Sequence, residues 1–432
     1  MRKRMLKKWM ALMLSGTLVL GLIGCADNAE QPAETTPEVS DVQESQEEVQ
    51  EASPETPVLY ESEYGSKQEA LQAGLDLNLA IAEEGMILFK NEGSALPIAS
   101  GSKVTLLGYA AIDPNAGASH NVVDASAGAA IAQANIISSM EEAGFSLNNT
   151  VLDSYTQWAS EDVEGAEADE NGNVPKKTSD ILVADDFAKA AETDEWKASL
   201  EEYGDAAFVV ISRGTGEIAQ NGRVHELQLD DIQYELIDYA AENFDKVIVL
   251  VNSCTPIEIA GIQRNDAVDA VLNIGEPGDN GLAALGRVLT GEVNPSGRTV
   301  DTWPVDHTQN PSYTIFNTRV SAMAQGEDGN GTMTGYTQYS VNGEPVNTWS
   351  VGYEEGIYVG YRYYETRSFE ENKSGAEDAW WNANVNYPFG YGLSYTDFEW
   401  EVTPATAADS TVTKTDTLTF DVKVTNTGDI AG

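Results

Sequence analysis

The sequence predicts an α/β fold, a mostly parallel sheet flanked by helices in an α/β sandwich, followed by an incomplete β-sandwich. Two patterns carry this reading. Short apolar runs at Lys103–Gly108, Ala206–Ile211, Lys246–Val251 and Ala267–Ile274 alternate with segments whose apolar residues recur at helical spacing. Strands separated by helices need crossover connections, which make neighbouring strands parallel and cover both faces of the sheet. Beyond Tyr395 the period drops to two: Phe398–Val402 and Thr417–Thr425 read as strands, with Leu418, Phe420, Val422 and Val424 on one side of the second. Two strands cannot close a sandwich by themselves, so this last part is expected to be incomplete.

The elements follow in chain order. Arg2, Lys3, Arg4, Lys7 and Lys8 precede an apolar stretch, Trp9–Leu22, that is short for a membrane span. It ends in Leu22-Ile23-Gly24-Cys25, which looks like a bacterial lipobox. Residues 1–25 therefore read as a lipoprotein signal peptide, with Cys25 the lipidated residue that tethers the protein on the extracellular side of the cell envelope. Residues 26–58 are acidic and rich in Pro, Gln, Thr and Ser; they bury too little apolar surface to offset their ordering entropy and read as a disordered linker. Residues 59–395 are assigned to the sandwich and 396–432 to the β domain. Leu75, Leu79, Ala82, Met86 and Phe89 put a helix over Leu71–Phe89. Further helices are expected over Ala130–Ala143, Asp230–Phe244 and Asn280–Leu289, and a loop over Glu161–Thr178. Gln309–Val351, rich in Gly, Asn, Thr and Ser, reads as a long surface insertion.

Charge and composition remove several functions. The 70 acidic residues against 24 basic ones give a formal net charge of −46. That field repels phosphate backbones, so no nucleic acid is expected as a partner, while neutral substrates such as sugars are indifferent to it. Two cysteines, Cys25 and Cys254, cannot build a disulfide framework, and Cys254, beside the apolar run Lys246–Val251, reads as a small buried hydrophobe. His120, His225 and His307 lack metal-ligand spacing, and Asp169–Asn173 has too few carboxylates for a calcium loop, so neither metal nor cofactor is expected. Neither a phosphate-binding Gly-rich loop nor a Ser nucleophile elbow is present.

In sheets of this kind ligands sit at the carboxyl ends of the strands, so the loops after Ile211, Val251 and Ile274 should share one edge. Ser212–Arg223 places a carboxylate, Glu217, between Arg213 and Arg223. A Glu held there suits a general acid if burial raises its pKa; a loop Glu beside Arg also reads as a structural ion pair. Gly275–Gly281 leads into a helix, where Asp279 or Asn280 is expected to cap.

Several ordered segments carry a resemblance. They are Ala80–Asn91 (AIAEEGMILFKN) with Leu96–Ile98, Val293–Arg298 (VNPSGR) with Asp301–Pro304 (DTWP), Tyr353–Tyr364 (YEEGIYVGYRYY) and Tyr387–Tyr395 (YPFGYGLSY). In this order they resemble the carboxyl-terminal α/β-sandwich domain of glycoside hydrolase family 3, the β-glucosidase-like enzymes. Val424–Gly428 is similar to the start of a fibronectin type III-like domain that follows the sandwich in many members. The resemblance implies a retaining hydrolase, in which a (β/α)8 barrel supplies an aspartate nucleophile and the sandwich supplies the acid/base Glu.

Glu217 matches the acid/base position, with Arg213 and Arg223 as substrate-binding candidates. The family pattern S-G-E-G-x-D-R is altered here, with Ile218 and Gln220 where Gly and Asp stand. The implied partners are an oligosaccharide or β-glucoside substrate and a barrel domain, expected downstream or in trans, with the membrane reached only through the lipid anchor. The altered motif leaves a second expectation open, a non-catalytic surface lipoprotein that binds carbohydrate or a partner.

Overall fold

Among the described residues six strands make the central sheet: β1 Ile87–Asn91, β2 Lys103–Leu107, β3 Ser146–Leu147, β4 Ala206–Ser212, β5 Val247–Asn252 and β6 Ala270–Asn273, in the order β1-β6-β5-β4-β2-β3. Every neighbouring pair is parallel except β1 with β6. The computed structural model describes residues 62–114, 134–169, 171–213, 227–278, 280–313, 337–341, 344–348, 355–375, 378–404 and 411–432. All belong to one compact unit, Ser62–Gly432. The expected signal peptide with Cys25 and the linker 26–58 lie outside the described residues.

The described helices are α1 Lys67–Gly85, α2 Ile136–Glu142, α3 Asn149–Ser160, α4 Asp180–Ala190, α5 Asp194–Glu202, α6 Asp231–Asn243, α7 Ala260–Gln263, α8 Ala283–Thr290, α9 Tyr361–Asn372 and α10 Ala379–Asn384. The strands read as unbroken apolar runs because both faces of the sheet are covered, and alternate residues feed two cores. Val104, Leu106, Phe208, Val210, Ile248, Leu250 and Leu272 pack with Ala82 of α1, Ile136 and Met140 of α2, and Leu285, Val288 and Leu289 of α8. Leu107, Val209, Ile211, Val249, Val251 and Val271 pack with Tyr155 of α3, Phe187 of α4, Trp196 of α5, Leu236 and Ile237 of α6, and Ile262 of α7. None of the described helices is long and apolar enough to cross a membrane.

The expected fold class is the one observed, with local corrections. The first helix stops at Gly85, and Ile87–Asn91 is an edge strand antiparallel to β6. Phe89 falls in step with the helical period by coincidence. Leu88 enters one core while Ile87 and Phe89 enter the other, a period of two that a helix cannot present. Helices α3, α4 and α5 were not anticipated. Their starts are nonetheless written in the sequence: the side chains of Asn148, Ser179 and Thr193 each accept the N–H three residues on. Glu161–Thr178 is a loop apart from one bridge between Asp162 and Lys176. The expected insertion Gln309–Val351 contains two antiparallel strands, β8 Thr337–Val341 and β9 Glu344–Thr348.

The segments that carried the resemblance are structural. β7 Trp303–Pro304 pairs with β10 Val385–Tyr387, and Phe89 stacks on Tyr387 at 4.3 Å with Trp303 edge-on at 4.8 Å. The Asn294 side chain accepts the Ser394 hydroxyl at 3.0 Å and the Tyr395 N–H at 2.9 Å, and the Tyr395 hydroxyl donates to the Val288 carbonyl. Trp380 packs on Tyr363 and Tyr364 of α9. Last come β11 Phe398–Pro404 and β12 Phe420–Asn426, an antiparallel pair exposed along its whole length.

Candidate active site

The carboxyl edge of the sheet is tied together by side chains. Asn252, buried at the end of β5, accepts the Ser212 hydroxyl on Oδ1 at 3.0 Å and donates from Nδ2 to the Gly275 carbonyl at 2.6 Å. Its own carbonyl accepts the Arg213 N–H at 3.0 Å. The ends of β4, β5 and β6 therefore share one edge, as expected from the sequence.

Arg213 is the first residue past β4. Its Nη2 donates to the Gln228 carbonyl at 2.7 Å, to Gln233 Oε1 at 2.6 Å and to Asp230 Oδ2 at 3.3 Å, and its Nη1 to the Ser212 carbonyl at 3.0 Å. Ser212 leads into the segment 214–226 and Gln228 follows it, so one guanidinium clamps both ends of the segment that carries Glu217. Glu217 and Arg223 themselves lie outside the described residues. Arg213, expected to meet substrate, is placed against acceptors of the protein. Gln233 is held in one orientation: Oε1 accepts Arg213 and the Asp230 N–H at 3.2 Å.

Asp180 opens α4 and accepts the Tyr109 N–H at 2.6 Å. Burial pushes its carboxyl above the usual range, against the pull of the Tyr109 N–H, of Gln233 and of the Arg213 charge. Tyr109 follows Gly108, whose φ of 99° and close approach to the Val210 carbonyl leave no room for a Cβ. The Tyr109 hydroxyl donates to Asp113 at 2.9 Å, and burial first and Asp113 second raise its pKa, so it stays a neutral phenol. These groups line a cavity of about 250 Å³ with Ser212, Arg213 and Asp230. A wider groove of about 410 Å³ lies past the exit of the same segment, lined by Gln228, Tyr234, Glu258, Arg264 and Val305.

The other sequence candidates resolve as follows. Cys254, read as a buried hydrophobe, is exposed, because β5 ends two residues earlier at Asn252 and its apolar run does not reach the thiol. Asp279 lies outside the described residues. Asn280 does not cap α8: its N–H donates to Asn78 Oδ1 and its Nδ2 to the Leu75 carbonyl, docking the turn onto α1 instead. Asp169 accepts the N–H groups of Asn171 and Asn173 and the Asn173 amide, a turn closed on itself. The His307 N–H donates to Glu258, and its ring meets the Pro256 carbonyl; His120 and His225 lie outside the described residues. Among the described residues no group of three or more His, Cys, Asp or Glu is placed to hold a metal ion. Sequence reasoning missed Tyr109, Asp180, Asp230 and Gln233. The pattern Asp230-x-x-Gln233 before an apolar helix is a capping signal that marks two of them.

Fold and edge together define an α/β sandwich domain with a cavity at the carboxyl ends of β2 and β4. Residues 86–361 match the Glycosyl hydrolase family 3 C-terminal domain, and the chain belongs to that family. It is 28% identical over 411 residues to β-glucosidase A of Butyrivibrio fibrisolvens, covering 87% of this chain and 42% of that protein. It is 28% identical over 357 residues to thermostable β-glucosidase B of Acetivibrio thermocellus, covering 81% and 36%. Its fold is similar to β-glucosidase 3B of Thermotoga neapolitana solved with glycerol, with a TM-score of 0.60, 26% identity, and coverage of 85% of this chain and 43% of that one. The chain thus spans less than half the length of the relatives it matches.

Proposed function

We propose that this chain is the acid/base-bearing sandwich of a β-glucosidase-like glycoside hydrolase acting on β-glucosides or oligosaccharides. The observation that supports the reading is the contact of Arg213 with the Gln228 carbonyl, between residues close to either side of segment 214–226, in a family 3 sandwich domain. In the retaining reaction an aspartate of a partnering barrel attacks the anomeric carbon as Glu217 gives its proton to the leaving oxygen. Glu217 then takes a proton from the water that releases the sugar from the aspartate. Arg223 meets the substrate from the far arm of the segment, and Arg213 acts by holding the near arm.

The barrel is supplied by further sequence or in trans. Cys25 carries a lipid that holds the protein outside the membrane, and residues 396–432 begin a fibronectin type III-like domain. The reading is tested by aryl β-glucoside hydrolysis with a family barrel domain joined to this chain. Glu217→Gln is expected to cost about 10²- to 10⁴-fold in turnover, and the chain without a barrel to show none. Robust turnover by the chain alone, or no loss in the variant, sinks the assignment. Sugar binding retained without any turnover in the joined protein favours a carbohydrate-binding role, to which the altered residues Ile218 and Gln220 also point.

A further inference from the structure

The ribbon of β11 and β12 is sorted by face. Its two strands pair in unbroken register, with Trp400 opposite Val424, Val402 opposite Val422 and Pro404 opposite Phe420. Directly opposed residues point to the same side of such a pair, and successive residues to opposite sides. One side therefore carries Phe398, Trp400, Val402, Phe420, Val422 and Val424. The other carries Glu399, Glu401, Asp421 and Lys423, with Lys423 donating to Glu401 at 3.1 Å.

The root of the ribbon is fixed. Asn294, which accepts Ser394 and Tyr395 ahead of β11, also donates from Nδ2 to the Ala431 carbonyl past β12 at 3.0 Å. The Thr396 hydroxyl donates to Asn426 Oδ1 at 2.6 Å, and the Thr427 N–H to the Asp397 carbonyl at 2.8 Å. Both strands are thus tied at one end, and the apolar side is held open. Phe398, Trp400 and Phe420 are 36%, 66% and 53% exposed, and the three valines are about half exposed. Together they leave roughly 400–500 Å² of apolar surface open. That is as large as the largest patch on an ordinary monomer, and such patches are often functional.

Size and charge select the occupant. The apolar side offers no counter-charge to a charged partner. Two copies of this chain, each with an excess of 46 negative charges, can meet closely only where neither presents a charge. This side of the ribbon is such a place. Two of these faces together bury about 800–1,000 Å², near the lower bound for a specific interface. We propose that a second copy of this chain covers it: two ribbons pack face to face about a two-fold axis, as the two layers of a small β-sandwich, in a reversible micromolar dimer. The proposal extends the reading of residues 396–432 as the start of a β-sandwich, and it is independent of the hydrolase chemistry.

Sedimentation velocity of the compact unit Ser62–Gly432, from about 1 to about 100 μM, tests it. The mass is expected to rise from one copy to two and to stop there. Trp400→Lys should raise the dissociation constant at least about tenfold with the melting temperature near that of the unchanged protein. Glu401→Gln with Lys423→Gln, on the reverse side, should leave it unchanged. Hydroxyl-radical oxidation of Trp400 in the unchanged protein gives a readout that needs no variant, and it should fall as concentration rises. A monomer throughout overturns the proposal, including one that binds phosphatidylcholine vesicles through Trp400 instead. So does growth beyond two copies, a dimer as tight in Trp400→Lys, or Trp400 oxidation that ignores concentration.

Discussion

Asp180 shows what one side chain at this edge contributes and what it costs. Its carboxyl is raised by burial, so the folded protein holds that proton more tightly than the unfolded chain does. With more protons bound in the folded state, stability from this group is greatest below the ordinary carboxylate pKa of about 3.9 and falls as pH rises through the raised folded value. Asp180→Asn removes the titration. The melting temperature of the variant minus that of the wild type should climb as pH goes upward from about 4. A difference that stays flat, followed by calorimetry in matched buffers, means that burial does not set this carboxyl. At this scale the sequence announces kinds of residue and not their partners. Arg213 is visible beside Glu217 as a cation in a Gly-rich loop, but three of its acceptors stand 15 to 20 positions away, at Gln228, Asp230 and Gln233.

Among the elements, α2 and α8 make the closest approach that a single substitution can test. The Gly286 N–H donates to the Ser139 hydroxyl at 2.9 Å, and an added Cβ would collide with the Ser139 carbonyl oxygen and the Ala143 methyl. Alanine is the better helix former by about 0.8–1 kcal/mol, whereas overpacking a tight core costs about 1–3 kcal/mol, so Gly286→Ala should destabilise by up to about 2 kcal/mol. The urea midpoint should fall with the slope unchanged; an unchanged or raised midpoint means that the two helices part at little cost. The same elements show where patterns suffice. β2, β4, β5 and β6 were legible because a strand covered on both faces is a short unbroken apolar run, and each is bounded by turns. β1 was hidden by its junction with α1, where residues of a two-period strand fall by chance on the helix's stripe. Helices α3 and α5 carry their apolar faces among many polar residues, so their caps, Asn148 and Thr193, were clearer signals than their periodicity.

For the molecule as a whole, charge is the property that no single contact reveals. An excess of 46 negative charges repels itself, and this repulsion works against the compact state. The described ion pairs oppose it weakly. Lys103 with Glu202, Lys176 with Asp162 and Lys423 with Glu401 are all exposed, and exposed pairs of this kind contribute about 0–1 kcal/mol each. Salt weakens both effects, shrinking the Debye length from about 30 Å at 0.01 M to about 8 Å at 0.15 M. Contacts within a few ångströms survive that change better than repulsion summed over the whole surface, so the repulsion loses more. The melting temperature should therefore rise between these two sodium chloride concentrations and level off above them. A fall over the same range would show that close pairs such as Lys177 between Glu161 and Asp186 outweigh the excess charge. The acidic surface would then be locally compensated where it bears on folding.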